Sequence, residues 1–403
     1  MTMDTDTQQP EDSMSAEKAS SPAETVPSSF TRMQGALWIV GLIGIAAIGG
    51  YYLLPQGSWL ADILGSGTEV RPGLMAKEVR EGQYESAVAQ RDAVLADPDT
   101  TSEQKALALS ATLGAEYRIS GDLNQRIEDI VEMKKYILDP AVSVETRVNL
   151  LNMLAAQYPI SGGDARIFEE TFKDAPFSDF KATSEANVDR NARLSSRNLF
   201  EWSYSTMPTA FAAISIARWY SEQYSFDRSL DEEKKKSYAA LAAEYLKKAE
   251  DAAAAESERF GNAYLDSTAH LTYRHWRAVT IGRLRAQIGE PYKSMYIQEY
   301  EDLFVFQKGQ NNKLAAEYLL YSRMFFASQL RGDAKIDYAK QQLDTLAAEM
   351  NAVTNPDVNV FFSFLRTEYK ERPTGPTYVN LISSNFELSP AFEEAVTRVV
   401  SGQ

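Results

Sequence analysis

The segment LGAEYRISGD, residues 113–122, recurs 41 positions later as LAAQYPISGGD, residues 154–164. Each copy has a large apolar residue followed by a small one, then a tyrosine about one helical turn on, and then glycine. A small residue on a helix lets a second helix approach closely, and glycine adopts the left-handed conformation that ends many helices. The repeat therefore predicts antiparallel helix pairs, with Gly114 at the close contact of the first copy and Gly121 at its turn.

A helical pattern continues over most of the chain after residue 73. Helix starts are marked by Ser229, with Glu232 three residues later, and by Ser389, with Pro390 directly after it. A serine at the start of a helix accepts a hydrogen bond from a free N–H of the first turn, and proline fits there because it has no N–H to lose. No run of alternating apolar and polar residues indicates a strand. The predicted fold class is all-α.

These features resemble the tetratricopeptide repeat (TPR) family. The segment 82–98 resembles the second half of one repeat, and 113–140 resembles a nearly whole repeat. The residues at or near the family's signature positions are Leu113, Gly114, Tyr117, Gly121 and Pro140. The repeats here are longer than the family's 34 residues, and they become less regular after residue 205. The resemblance implies an α-solenoid of antiparallel helix pairs whose concave face binds peptides or helices of protein partners.

The composition changes several times along the chain, and these changes predict its domains. The first residues are polar and acidic, with almost no apolar side chains to offset the entropy of ordering. The predicted segments are a disordered acidic tail (1–33), a transmembrane helix (34–54), a linker (55–73), TPR-like repeats (74–172), an irregular joint or insertion (173–205) and a second helical block of degenerate repeats (206–403).

Residues 36–54, ALWIVGLIGIAAIGGYYLL, contain no charged side chain. At about 1.5 Å per residue, a helix of this length spans about 28 Å, which is close to the hydrocarbon thickness of a bilayer. Trp38 and Tyr51 stand near its two ends, where aromatic side chains meet the lipid headgroups. A cleaved signal peptide would have a basic leader and a shorter apolar stretch. The segment therefore predicts a single-pass cell-membrane protein that contacts the lipid bilayer through these residues.

The orientation is predicted from the basic residues on each side of this span. Lys18 and Arg32 precede it, and Arg71 is the first basic residue after it. Basic residues near a span are retained on the cytoplasmic side. We expect the N-terminus inside and the bulk of the chain outside the cytoplasm, at the cell envelope.

Charge and composition exclude several classes of function. The net charge is −15, and no cluster of lysine and arginine stands out. An acidic chain repels a phosphate backbone, so nucleic acid is not an expected partner. The chain has no cysteine, which excludes disulfides, thiol catalysis and zinc–thiolate sites. Gly162-Gly163 lacks the preceding strand and the lysine of a phosphate-binding loop, so no cofactor is expected.

Few residues are candidates for catalysis or metal binding. The only two histidines, His270 and His275, are five residues apart. On a helix they would point about 140° apart, unlike metal ligands four residues apart, so we expect no metal site and assign both to the surface or to an interface. The acidic residues at 231–233 run into three lysines, which is typical of a solvated helix start. No residue set is predicted to be catalytic.

Aromatic residues are the remaining candidates for a binding site. A stripe with a spacing of four residues consists of Tyr292, Tyr296, Tyr300 and Phe304. An earlier cluster includes Trp202, Trp219 and Tyr220. Tyrosine and tryptophan offer a large contact area with a polar edge, so these residues are candidates for a groove that binds a partner or a ligand. The alternative is that they form the core between stacked helices.

Three hypotheses of function follow. The leading one is a non-catalytic, membrane-anchored helical-repeat scaffold or adaptor that binds a protein partner at the cell envelope. The second is an extracytoplasmic helical module that binds a glycan or a small molecule. The third is an all-helical enzyme whose site the sequence does not reveal.

Overall fold

A computed structural model describes residues 72–120, 123–156, 165–183, 188–226, 229–310, 312–330, 335–353, 359, 361–362, 364–366, 378–384 and 386–402. All regular elements in these ranges are helices, as the sequence predicts. The first group is α1 Pro72–Glu81, α2 Tyr84–Ala96, α3 Ser102–Thr112, α4 Ala115–Ser120, α5 Leu123–Leu138, α6 Val144–Ala155 and α7 Ala165–Thr171, followed by a 3-10 turn, Phe177–Phe180.

The second group of helices begins with the long α8, and short connections join most of its members. They are α8 Val188–Thr206, α9 Ala210–Phe226, α10 Glu232–Phe260, α11 Asn262–Leu265, α12 Thr268–Gln287, α13 Tyr292–Gly309, α14 Lys313–Gln329, α15 Ile336–Asn351, α16 Tyr378–Ser383 and α17 Pro390–Ser401.

Capping side chains set where several helices begin. Ser389 accepts a hydrogen bond from the N–H of Phe392, and α17 starts at the following proline, which confirms that prediction. The prediction at Ser229 is wrong by two residues. The side chain of Asp231 accepts from the N–H of Lys234 at 2.7 Å, so α10 begins at Glu232. The carboxylate of Asp231 therefore serves as the cap instead of Ser229. Its negative charge is favourable at the positive end of the helix dipole.

The two copies of the sequence repeat do not have the same geometry. Gly114 has a φ of +76°, and nothing lies within 4 Å of the position that a Cβ would occupy. It lies between α3 and α4, so the prediction of a close helix contact at this glycine is wrong. Ala155, its counterpart, is fully buried at the end of α6, and its carbonyl accepts from the hydroxyl of Ser196 on α8 at 2.6 Å. Gly121, Tyr158 and Gly162 lie outside the described residues.

Neighbouring helices pack on one another along the chain. Close neighbours include α2 with α3, α5 with α6, α6 with α8, α9 with α10, and α12 with α13. One apolar core cluster includes residues from Ala106 in α3 to Val399 in α17. The predicted joint at 173–205 contains the 3-10 turn and most of α8. The division of the helices into two blocks at this point stays a prediction.

The helices of this array curve back on themselves. Helix α1 packs against α14, although more than two hundred residues separate them. At the start of α14, the Nζ atom of Lys313 donates to the hydroxyl of Tyr84 at 3.4 Å and lies 5.2 Å from the centre of its ring. A straight stack of helix pairs could not make this contact.

The predicted transmembrane helix at 34–54 lies outside the described residues. Within the ranges that the structure describes, none of the helices combines the length and the apolar composition needed to cross a bilayer.

Candidate functional site

The aromatic stripe of α13 lies mostly in the core. Tyr296, Tyr300 and Phe304 are buried, and their rings pack on Phe326 of α14 with centroid distances of 5.6, 5.2 and 6.0 Å. The hydroxyl of Tyr296 donates to the carbonyl of Phe326 at 2.9 Å. Tyr292, the first member of the stripe, is only partly buried. These contacts join α13 to α14.

The second predicted set packs α8 and α9. Trp202 stacks on Phe180 with a centroid distance of 4.7 Å. Trp219 lies edge-on to the buried ring of Tyr220, with 5.1 Å between the ring centroids. The guanidinium group of Arg197 lies over the ring of Trp219, at 4.7 Å from its centroid. Trp202 thus packs on the 3-10 turn, whereas Trp219 and Tyr220 both contact Tyr238 of α10. A ligand groove on these seven residues stays a prediction.

Both histidines lie in the interior, so their assignment to the surface or an interface is wrong. His275 is 1% exposed, and its Nδ1 atom lies 2.8 Å from the hydroxyl of Ser322. Burial lowers the pKa of His275 to about 3 and that of His270 to about 4. Both are therefore neutral at pH 7. The described residues contain no group of three or more acidic or histidine side chains that could hold a metal ion.

A half-open cleft lies at the C-terminal end of α10, the longest described helix. Its volume is about 320 Å³, which is at the lower end of the range for ligand sites in proteins. We name it the α10 cleft. Its walls come from the start of α6, the end of α8 and the last turns of α10. Its apolar walls include Tyr204, Met207, Pro208, Ala252, Ala255 and Phe260.

The sequence of α10 explains why a carboxyl group lies in this cleft. Five of the six buried residues of the helix form a stripe with alternating spacings of three and four residues, namely Ala239, Ala242, Leu246, Ala249 and Ala253. Glu256 is the next position in this register. Alanines on the stripe allow α9 to pack closely along α10. Glu256 is thereby held at the first turn of α9.

Glu256 has an unusual environment for a carboxyl group. Its Oε2 atom accepts a hydrogen bond from the N–H of Ala210, the first residue of α9, at 3.3 Å. Burial raises the pKa of Glu256 to about 7, although this hydrogen bond, the hydroxyl of Tyr264 and the positive charge of Arg259 oppose the shift. The buried hydroxyl of Tyr264 lies close enough to interact with this carboxyl group, and the pKa of Tyr264 is raised by burial and by the charge of Glu256.

The other charged groups of the cleft are paired. Arg259 binds Glu145 across the cleft, with 3.3 Å between Nη2 and Oε1. The two remaining pairs are Lys248 with Glu244 at 2.7 Å and Asp251 with Lys247 at 2.6 Å. Among the described residues, Glu256 has no opposite charge within ion-pair distance. The carboxyl group of Glu256 is thus without an ion-pair partner in the described part of the cleft.

The arrangement combines apolar walls with one carboxyl group that can exchange a proton. Glu256 could take up or release a proton near neutral pH. However, the described walls contain no serine, cysteine or histidine beside it that could act as a nucleophile. Compared with protein-family models, with curated proteins and with solved structures, the chain matches none of them.

The sequence contained one signal for this site that pattern analysis missed. Glu256 follows Ala252-Ala253-Ala254-Ala255 and stands in register with the apolar stripe of α10. A lone acidic residue on the buried face of a helix indicates either a cap or a site. The residues that face it from α6 and α8 are too distant in sequence to form a recognisable motif.

Proposed function

We propose that this protein is a membrane-anchored helical-repeat scaffold that binds a protein partner through the α10 cleft. The observation that carries the proposal is the cleft itself, with apolar walls, a rim of paired charges and one unpaired carboxyl group. Side chains of a docked segment fill clefts of this kind, and the polar rim fixes their orientation.

Exposed apolar side chains beside the lining residues support a protein partner. Val144, which precedes Glu145 of the cleft, is 40% exposed. Leu265, at the end of the short helix α11 that follows α10, is 36% exposed. Apolar side chains next to a cleft extend the area that a partner can cover.

The scaffold is proposed to be a TPR-like solenoid. Support comes from consecutive helices that pack on each other across short connections, as antiparallel helix pairs do. The anchor is proposed to be the uncharged segment 36–54, with the N-terminus inside and the helices outside the cytoplasm. Its support is the length and charge pattern of that segment.

Photocrosslinking from the cleft tests the proposed function. Because the chain has no cysteine, a single cysteine at Asp251 can carry a benzophenone maleimide on the rim, where the Asp251 side chain is 65% exposed. The matched control is Val305→Cys on α13, at a position that is 74% exposed. Labelled full-length protein is returned to membranes of the source cell and irradiated. We expect one reproducible protein adduct from position 251, suppressed by excess unlabelled protein, and none from position 305.

Other outcomes would favour the alternatives. No protein adduct, together with saturable binding of a glycan or small molecule, would replace the scaffold by the ligand-binding module. Equal adducts from both positions would show that the cleft has no special role. The all-helical enzyme would gain support if a turnover assay were abolished by the conservative change Glu256→Gln.

A further inference from the structure

We propose that the α10 cleft recognises the primary ammonium group of a lysine side chain on the partner protein. The inference rests on the proposed function and specifies the chemistry of the partner. It follows from the unpaired carboxyl group of Glu256, from the apolar path that leads to it and from the way in which its two oxygens are used.

The charges of the cleft favour a cationic guest. Lys248 and Arg259, its two basic residues, are already within ion-pair distance of Glu244 and Glu145. An anionic guest would have to displace one of these carboxylates and would approach Glu256. A cation meets an unpaired carboxyl group directly, and in a partly desolvated cleft such a pair is stronger than at the surface.

The walls favour a long aliphatic stem. Ala252, Ala255 and Phe260 present apolar surface on α10, opposite Met207 and Pro208. A lysine side chain has four methylene groups that can lie along apolar surface while the ammonium group reaches a polar partner. The cleft volume of about 320 Å³ admits one or two side chains but no helix of a partner.

The use of the carboxylate oxygens favours ammonium over guanidinium. Arginine binds a carboxylate best when its two parallel N–H groups reach both oxygens, whereas lysine acts as a compact point charge. The Oε2 atom of Glu256 already accepts from the N–H of Ala210. The remaining oxygen suits a single ammonium contact. The buried hydroxyl of Tyr264 interacts with the same carboxyl group and favours its ionised form.

The overall negative charge of the chain also favours a cationic partner. A net charge of −15 attracts a basic segment over distances longer than direct contact and raises its rate of encounter.

The test uses three peptides that differ only in the central residue. They are acetyl-Gly-Lys-Gly-amide, its norleucine counterpart, which has the same stem without the ammonium group, and its arginine counterpart. Their affinities for the full-length protein in a neutral detergent are measured by titration calorimetry at pH 7. We expect the lysine peptide to bind at least about tenfold more tightly than the norleucine peptide, and more tightly than the arginine peptide.

Proton release provides an independent readout. Since the pKa of Glu256 is about 7, close to half of the molecules are protonated at pH 7. An ammonium guest would ionise the group, so binding should release about half a proton, measured by comparing heats in phosphate and MOPS buffers. The groups that face Glu256 from the packed elements are Glu145 (α6), Tyr204 (α8), the N–H of Ala210 (α9), Lys248, Asp251 and Arg259 (α10) and Tyr264 (α11).

The variant Glu256→Gln should lose both the preference for lysine and the proton release. Glu258→Gln, an exposed position on the same helix, is the matched control and should keep both. Circular dichroism confirms that each variant is folded. Each of three results would overturn the inference. They are equal binding of the lysine and norleucine peptides, an unchanged preference for lysine in Glu256→Gln, and no binding of the peptides by folded wild type. Arginine binding equal to lysine binding would overturn its ammonium specificity.

This test can fail separately from the proposed function. If position 251 still gives a competed protein adduct while the peptides show no preference for lysine, the scaffold stands and only the lysine inference falls. If position 251 gives no adduct, the proposed function falls whatever the peptides show.

Discussion

At the scale of single residues, the carboxyl group of Glu256 destabilises the fold when it is ionised, and it is also the group that the proposed partner would bind. Its carboxyl lies at the first turn of α9, where a negative charge is favourable, yet burial raises its pKa from the ordinary 4.5 to about 7. The desolvation penalty therefore exceeds the contribution of the helix end and of Arg259. A carboxyl group that destabilises the folded state when ionised, and has no ion-pair partner among the described residues, is a candidate for a ligand site.

This environment predicts how stability changes with pH. Because the folded state holds the proton of Glu256 more tightly than the unfolded state, its contribution is fully present below about pH 4.5 and is lost as the pH rises through about 7. The change Glu256→Gln removes this titration. Relative to the variant, wild type should lose up to about 3 kcal/mol of unfolding free energy between pH 4 and pH 8.

Urea unfolding at several pH values measures this difference. Glu258→Gln should keep the pH dependence of wild type, because Glu258 is exposed. A difference between wild type and Glu256→Gln that stays constant with pH would contradict the assigned environment of Glu256.

At the scale of helices, Gly282 shows how α12 approaches its neighbours. A Cβ built at this glycine would lie 2.9 Å from Cε2 of Tyr296 and 2.7 Å from Cδ of Gln329. Gln329 cannot move away freely, since its amide donates to the carbonyl of Val279 at 3.0 Å and its Oε1 atom accepts from Tyr300 at 3.1 Å. The absence of a side chain at Gly282 thus allows α12, α13 and α14 to pack this closely.

The change Gly282→Ala should therefore destabilise the fold by about 1–3 kcal/mol, because overpacking displaces buried side chains. The matched control is Gly309→Ala near the end of α13, where nothing lies within 4 Å of the added carbon. That change should be neutral or stabilising by up to about 1 kcal/mol, since alanine favours the helix. Urea midpoints measure both, and an unchanged midpoint for Gly282→Ala would contradict the close approach.

The helices themselves were predictable from the sequence, but their mutual arrangement was only partly so. The all-α class and the start of α17 at Pro390 follow from local capping and periodicity. Gly114 failed as a predicted close contact because the pattern cannot distinguish a glycine inside a helix from one with positive φ between two helices. The α10 cleft was not predictable, since Glu145, Tyr204 and Glu256 meet only through tertiary packing.

At the scale of the whole molecule, the contact between α1 and α14 joins the first described helix to a late one. The predicted span at 36–54 is followed by a linker that leads directly into α1. Because α1 packs on α14, the start of α14 is held close to the first helices that the structure describes. If the segment 36–54 is the anchor proposed above, its orientation determines which compartment the α10 cleft faces.

Cysteine labelling measures that orientation directly. The chain has no cysteine, and Val305 on α13 is 74% exposed, so Val305→Cys provides a single accessible thiol at little cost in stability. Because Lys18 and Arg32 favour a cytoplasmic N-terminus, we expect a membrane-impermeant maleimide to label this cysteine in intact cells. Wild type, without a thiol, is the control for background. Labelling only after lysis would place the helices in the cytoplasm, and the lysine-bearing partner would then have to be sought among cytosolic proteins recruited to the membrane.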